Sequence, residues 1–195
     1  MEKIILASGS PRRKELLSLL IGDNFEVKTS DYEEDNTLTM APKDLVLYHS
    51  LAKGRDVAKQ LSEGVVISAD TVVVFENQVL GKPRNEDEAR EMLEKINGQA
   101  VDIISGIAVI NIEPQKELQE FQITKVKMKQ MSAGEIADYI KTGEPMDKAG
   151  AFAVQDRGAV FIEKIDGCYF NAVGLPLFKL NNLLNQLGVS VFEYK

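Results

Sequence analysis

Residues Val65–Phe75, VVISADTVVVF, constrain this chain more than any other stretch. A β-branched apolar run of this length reads as a buried strand covered on both faces. Asp70 sits in its middle. A buried carboxylate is costly unless it is hydrogen-bonded, paired with a cation or bound to a metal. Ser68 and Asp70 share one face by the two-residue period, and Thr71 lies beside them. Either Asp70 marks a polar strand end where the chain leaves the sheet, or it is a catalytic or metal-binding carboxylate at a sheet edge or cleft. The second reading requires partners from elsewhere in the chain.

At 195 residues, the chain has room for one large domain or two small lobes. Its net charge of −7 argues against a general nucleic-acid binder, which carries a basic face, but leaves room for a local basic pocket for a phosphorylated small molecule. Cys168 is the lone cysteine, so no internal disulfide forms and a cytoplasmic protein is expected. The apolar run Ile4 to Ala7 is too short for a signal-peptide core, and no stretch reaches membrane-spanning length. His49 is the single histidine, which excludes a multi-histidine metal site and reads as structural.

Taken in order, Lys3 to Ala7 predicts a strand running into Ser8-Gly9-Ser10-Pro11-Arg12-Arg13. Ser10 suits an N-cap and Pro11 the first helical position. Leu16, Leu17, Leu19 and Leu20 supply the helix's apolar stripe. Arg12 and Arg13 then fall in the first turn, where the helix dipole disfavours cations. An anion docked there relieves that penalty through free N–H groups, the hydroxyls of Ser8 and Ser10 and the guanidinium groups; the plainer reading is a solvated arginine pair. Phe25 to Lys28 predicts a second strand. The acidic loop Asp31, Glu33, Glu34, Asp35 follows. Such clusters are commonly just solvated; under the sharper reading one carboxylate, Glu33, joins Asp70 in holding Mg²⁺ or Mn²⁺.

A helix is expected from Ala41-Pro42 to about Leu61, burying Leu45, Tyr48, Leu51, Ala52 and Ala58, with Lys53 beside that face and within reach of a phosphate. Glu76-Asn77-Gln78 predicts a hairpin turn. Gly81 permits a close backbone approach, and Lys82 is held before Pro83 near the Asp70 strand. Asn85 caps a helix ending at Asn97-Gly98. Strands are expected at Val101–Ile110 and around Phe121 to Met128, with a register break near Thr124. Ser132 to Glu135 reads as a capping box. The polar loop 142–150 precedes Phe152 to Gln155, a strand Ala159–Ile165, a helix after Gly174-Leu175-Pro176 and a closing strand Val189–Tyr194. The pattern predicts an α/β or α+β mixed sheet, bent into two lobes with a cleft.

Several of these segments together resemble the Maf family of nucleoside triphosphate pyrophosphatases. They are Ser8-Gly9-Ser10-Pro11-Arg12-Arg13 with Glu15-Leu16-Leu17, Ala69-Asp70-Thr71, Gly81-Lys82-Pro83, the run from Thr142 to Gly150, and Gly174-Leu175-Pro176. They occur in family order across the whole chain. The resemblance implies a single domain over residues 1–195 with a mixed sheet, flanking helices and a nucleotide in the cleft between two lobes, as in ITPase-like folds, and commonly a homodimer. It implies hydrolysis of a nucleoside triphosphate to the monophosphate and pyrophosphate with a divalent metal. Asp70 matches the family's proton acceptor; Arg12, Thr71 and Gln155 match positions linked to substrate choice; Ser8, Arg13, Lys53 and Lys82 match the lining around the phosphates. Ala69-Asp70-Thr71 and Asp147-Lys148-Ala149-Gly150 are similar to the branch acting on dTTP and UTP. The branch acting on 7-methyl-GTP has a Ser-Asp-Gln run and a Cys before the Ala-Gly pair, and both are missing here. Two departures bear on base choice: Val101 stands where the family has a histidine, and Ala153 and Asp156 flank Val154-Gln155, with Asp156 expected to add negative charge near the base. The competing expectations are a non-catalytic nucleotide-binding regulator and a pyrophosphatase for CTP, 7-methyl-GTP or non-canonical purine triphosphates. No stable nucleic-acid or membrane partner is expected.

Overall fold

A computed structural model of the protein describes residues 1–35 and 38–194. Its elements are β1 (Ile4–Leu6), α1 (Pro11–Ile21), β2 (Glu26–Val27), α2 (Pro42–Ala58), β3 (Val65–Phe75), β4 (Gln78–Leu80), α3 (Glu86–Ile96), β5 (Ala100–Asn111), β6 (Lys116–Met128), α4 (Ala133–Lys141), β7 (Ile162–Asp166), α5 (Tyr169–Val173) and α6 (Leu177–Gln186). Among these residues seven strands form one sheet, ordered β2-β1-β3-β5-β6-β7 with β4 also on β3. β1 is parallel to β2 and β3, and the remaining pairs are antiparallel. This is the expected mixed sheet with flanking helices. No described helix is long and apolar enough to cross a membrane.

The central strand is the frame of the molecule. β3 pairs with β5 from Val65 to Val74. Its other edge is shared: β1 takes Val65 to Ile67 and β4 takes Val73 to Phe75. Residues 68–72 therefore face a gap between β1 and β4, and Asp70 and Thr71 sit in it. The buried, β-branched run and its mid-strand carboxylate are thus reconciled by a fork in the sheet edge.

The two-residue period divides β3 between two apolar layers. Val65, Ile67, Ala69 and Val73 pack with Leu17 of α1, Leu93 of α3 and Leu180 of α6. Val66 packs beneath Val57 of α2 with Ile110, and Val72 and Val74 beneath Val46 with Ile104. The face of α2 is only partly the one expected: Leu45 is buried and Leu51 and Ala58 pack at its margin, but Val46, His49, Ser50, Gly54 and Val57 form the rest of the buried face, while Tyr48 is 49% exposed. The reason is a close backbone approach. The Ser68 hydroxyl donates to the Ser50 carbonyl at 2.7 Å. A Cβ on Gly54 would lie 2.6 Å from Ser68 Oγ, and one on Gly106 2.4 Å from the Val46 carbonyl oxygen. Small residues allow this close approach, with Val46 and Val57 packed beside them. The helix also stops at Ala58, short of Leu61.

Other expectations are corrected. Leu19 is 68% exposed, and the buried stripe of α1 is Leu16, Leu17 and Ile21. Ser10 holds the N-cap position, but its side chain makes no capping bond. The second strand is only Glu26–Val27. Gly81 has open space where a Cβ would stand. Strand pairing runs unbroken through Thr124, whose buried hydroxyl bonds to Cys168 and Asn171; the irregularity lies at Lys127/Met128, against β7. Asp156–Phe161 forms a 3-10 turn ahead of β7, and Val191–Glu193 another, so neither Ala159–Ile165 nor Val189–Tyr194 is a strand throughout. Val189 and Val191 dock two side chains on the core, which imitates strand alternation. The expected helix caps at Asn85 and Ser132 are both made.

Candidate active site

The gap in the sheet edge opens into two adjoining cavities, of about 180 and 390 Å³. Both are lined by Ser10, Arg12, Arg13, Glu34, Lys53, Lys82 and Asp147. The first continues to Asp70, Thr71, Val73, Ile103, Phe152, Ala153, Val154, Gln155 and Gly174, an end with more apolar lining. The second adds Ser8, Gly9, Thr29 and Tyr32. The predicted residues Ser8, Ser10, Arg12, Arg13, Lys53, Asp70, Thr71, Lys82 and Gln155 thus converge from five regions of the sequence.

Asp70 and Thr71 point to opposite sides of β3 and meet different helices. On the α2 side, Asp70 Oδ1 accepts from Lys53 Nζ at 2.7 Å, with the two side chains 4% and 12% exposed. Asp70 Oδ2 is buried with no hydrogen-bond partner among the described residues. Lys53 also pairs with Glu34. Burial acts to raise the Glu34 carboxyl, but the Lys53 ammonium, assisted by Arg13, holds it below the usual carboxylate range. Glu34, not Glu33, is therefore the acidic-loop residue that reaches the cleft; Glu33 is exposed and lines neither cavity. Sequence spacing carried no signal to choose between these neighbours.

On the α1 side, Arg13 is no solvated arginine. Its Nε donates to the Gly174 carbonyl at 3.0 Å, and its terminal nitrogens donate to Ser8 Oγ at 3.4 Å and Thr71 Oγ1 at 3.2 Å. Burial lowers its pKa, a trend opposed by Asp70 and Glu34. Thr71 Oγ1 is 2.8 Å from Ser105 Oγ, which donates to the Asn171 carbonyl at 3.2 Å. Asn171 Nδ2 in turn donates to Ile103 O at 3.0 Å and Thr124 Oγ1 at 2.9 Å. Ser105 and Asn171, missed in the sequence, hold Thr71 and the Gly174 turn from behind. Asn171 lies on α5, a five-residue helix with no readable periodicity; the only local signal is its bracketing by Gly167 and Gly174, with φ of +128° and +123°.

Arg12 reaches Asp147 at 3.5 Å, and Asp147 also pairs with Lys148. Burial tends to raise the Asp147 carboxyl, but Lys148 and Arg12 bring it below its ordinary value. Lys82 enters both cavities with no ion-pair partner among the described residues. His49 is fully buried, with Nδ1 2.8 Å from the Tyr32 hydroxyl. Asp156 is exposed and lines neither cavity itself, although it directly follows Gln155, which lines the first; Val101 is a core residue.

The donor set is suited to a divalent cation of the Mg²⁺ or Mn²⁺ kind. Among the described residues Asp70 Oδ2 is an orphaned buried oxygen, and Glu34 brings a second carboxylate to the same cleft. Among the described residues no cluster of three or more His, Cys, Asp or Glu groups forms a full protein cage. One or two carboxylates with the remaining positions left to water or an anionic ligand is the arrangement Mg²⁺ favours. Cations at one end, apolar walls and an amide at the other, and a buried carboxylate between them suit an anionic ligand with a planar apolar head.

Comparisons with known proteins agree with this geometry. A family model described as Maf-like protein matches residues 3–187. A protein of Methanosarcina mazei named dTTP/UTP pyrophosphatase is 53% identical over 193 residues, covering 99% of this chain and 98% of its own length. A protein of Acetivibrio thermocellus with the same name is 44% identical over 200 residues, covering 99% of each chain. A solved structure of a HAM1 protein from Coxiella burnetii shares the fold, with a TM-score of 0.54 at 16% identity, covering 95% of this chain and 100% of that one.

Proposed function

The chain belongs to the family of Maf-like proteins, and on that premise we propose that it hydrolyses dTTP and UTP to the nucleoside monophosphate and pyrophosphate. The observation that carries the reading is the buried Asp70–Lys53 pair opening into a cleft with cations at one end and Gln155 at the other. The triphosphate lies along Ser8, Ser10, Arg13, Lys53 and Lys82, and its arrival displaces Glu34 from Lys53. These cations neutralise charge as the α–β phosphoanhydride breaks, the dominant contribution in phosphoryl chemistry. Water adds to the α-phosphorus, its proton passes to Asp70, and pyrophosphate leaves with the bonding electrons of the bridging oxygen. Asp70 and Glu34 are the residues that would hold a divalent cation, which supplies charge neutralisation when bound.

Gln155 and Thr71 are neutral donor–acceptor groups. The Gln155 amide pairs with the adjacent carbonyl and N–H edge that thymine and uracil share. A buried amide left unpaired by the wrong base costs about 1–3 kcal/mol, a tens- to hundred-fold discrimination. The test is kcat/KM for dTTP, UTP, CTP, GTP and 7-methyl-GTP with Mg²⁺ and with Mn²⁺, read by pyrophosphate release. dTTP and UTP are expected to lead. A tenfold lead for CTP or 7-methyl-GTP overturns the base assignment, and release of orthophosphate overturns the reaction.

A further inference from the structure

Gln155 has no helix or strand to hold it. It follows Phe152, Ala153 and Val154, a buried stretch along the cavity wall, and precedes Asp156, whose φ is +59°. What holds this segment is a carboxylate outside the cleft. Glu144 Oε1 accepts from the Gly158 N–H at 2.9 Å and from the Tyr139 hydroxyl at 2.9 Å, and Oε2 accepts from the Arg157 N–H at 3.1 Å. The Tyr139 hydroxyl also meets the backbone of Ala153. The backbone is therefore pinned two residues before Gln155 and two and three residues after it. The turn is tight: a Cβ on Gly158 would stand 2.5 Å from the Ala153 carbonyl oxygen and 2.7 Å from the Tyr139 hydroxyl. Glu144 also starts the 3-10 turn Glu144–Asp147, which delivers Asp147 and Lys148 to the same cavity. One carboxylate thus joins two walls of the end that takes the base.

We infer that Glu144, with Tyr139, is a positioning residue for base selection: it fixes where the Gln155 amide stands and leaves the phosphate chemistry at Asp70 untouched. The inference rests on the nucleotide reading above and deepens it. Charge-assisted bonds to two successive N–H groups hold a loop more firmly than neutral ones, and a misplacement of about 1 Å at a binding group is costly.

The experiment compares kcat and KM for dTTP and dCTP in the wild type, Glu144→Gln, Tyr139→Phe and Gln155→Ala, and in the double variant Glu144→Gln/Gln155→Ala. Glu144→Gln keeps the volume but turns an N–H₂ toward a backbone N–H, and Tyr139→Phe keeps the ring packed on Phe161. The expected result is a roughly tenfold loss of dTTP preference, carried by KM, with kcat changed by less than about threefold. The double variant is expected to lose no more preference than Gln155→Ala, since both act through one amide. Additive losses, or a fall in kcat with preference retained, overturn the inference. Amide exchange separates it from the nucleotide reading. If the wild type turns over neither dTTP nor UTP, that reading fails by itself. Faster exchange at Ala153, Arg157 and Gly158 in Glu144→Gln then still supports the clamp, and unchanged exchange overturns it.

Discussion

Replacing Lys53 by Met is expected to destabilise the protein far more than replacing its partner. The Asp70 carboxylate is almost wholly enclosed, and among the described residues its Oδ2 lacks a partner and Lys53 is the one cation bonded to Oδ1. Lys53→Met leaves that charge buried and unpaired, a loss of about 3–5 kcal/mol. For a chain of this size that corresponds to roughly 6–20 °C in Tm. Asp70→Asn does the opposite: Lys53 keeps Glu34, whose side chain is 40% exposed, so the ammonium retains a partner beside solvent. Its cost is about 1 kcal/mol or less. The double variant Lys53→Met/Asp70→Asn is expected to recover about 2–3 kcal/mol of the lysine's loss. Urea unfolding of all four proteins at pH 7 in the presence of a chelator, followed by circular dichroism, gives these numbers directly. A Lys53→Met protein within about 1 kcal/mol of wild type, or a double variant as unstable as the sum of the singles, refutes the reasoning.

Arg13→Ala and Lys82→Ala are both expected to lower kcat/KM by one to two decades, about 1.5–3 kcal/mol for each lost charge-assisted contact. Only Arg13→Ala is expected also to lower Tm, because it removes bonds to Ser8, Thr71 and the Gly174 carbonyl, whereas Lys82 is exposed. Gly106→Ala drives a methyl into the Val46 peptide and is expected to cost about 1–3 kcal/mol by thermal melting, with a larger loss if α2 lifts from the sheet. The Glu135 carboxyl is brought down to about 2 by Lys129 and by the backbone and hydroxyl of Ser132. A depressed pKa gives stability that is present above the unfolded value, near 4.3, and lost as pH falls toward the folded one. The Tm gap between wild type and Glu135→Gln is expected to be widest above about pH 5 and to close near pH 2.

The parts of the fold that were legible were those where one residue type has one structural use. The β-branched run gave β3, Asn85 and Ser132 gave two helix starts, and Pro11 and Pro42 stand at the first positions of α1 and α2. The buried face of α2 was legible only in part, because Gly54, Ser50 and Gly106 set its close approach to the sheet, and periodicity of large apolar residues is blind to a contact made by small ones. The strand expected at Ala159–Ile165 is present from Ile162 onward, after a 3-10 turn, whereas Val189–Tyr194 was misread because a turn that docks Val189 and Val191 also alternates. At the site, Asp70 announced itself by being charged in an apolar strand. Glu34 did not, since choosing it over Glu33 depends on a loop path that spacing does not encode. Ser105, Asn171 and Glu144 act on backbone groups distant in sequence, so apart from the glycines that bracket Asn171 little near them in the chain marks their role.

The central claim is that the carboxylate in the fork of β3 performs the hydrolysis. It is tested most directly by purifying Asp70→Asn, establishing from its melting curve that it is folded, and measuring pyrophosphate release from saturating dTTP against the wild type. The account predicts a folded protein whose kcat falls by about 10²–10⁴, the usual worth of a positioned proton acceptor. A folded Asp70→Asn protein with near wild-type kcat contradicts it.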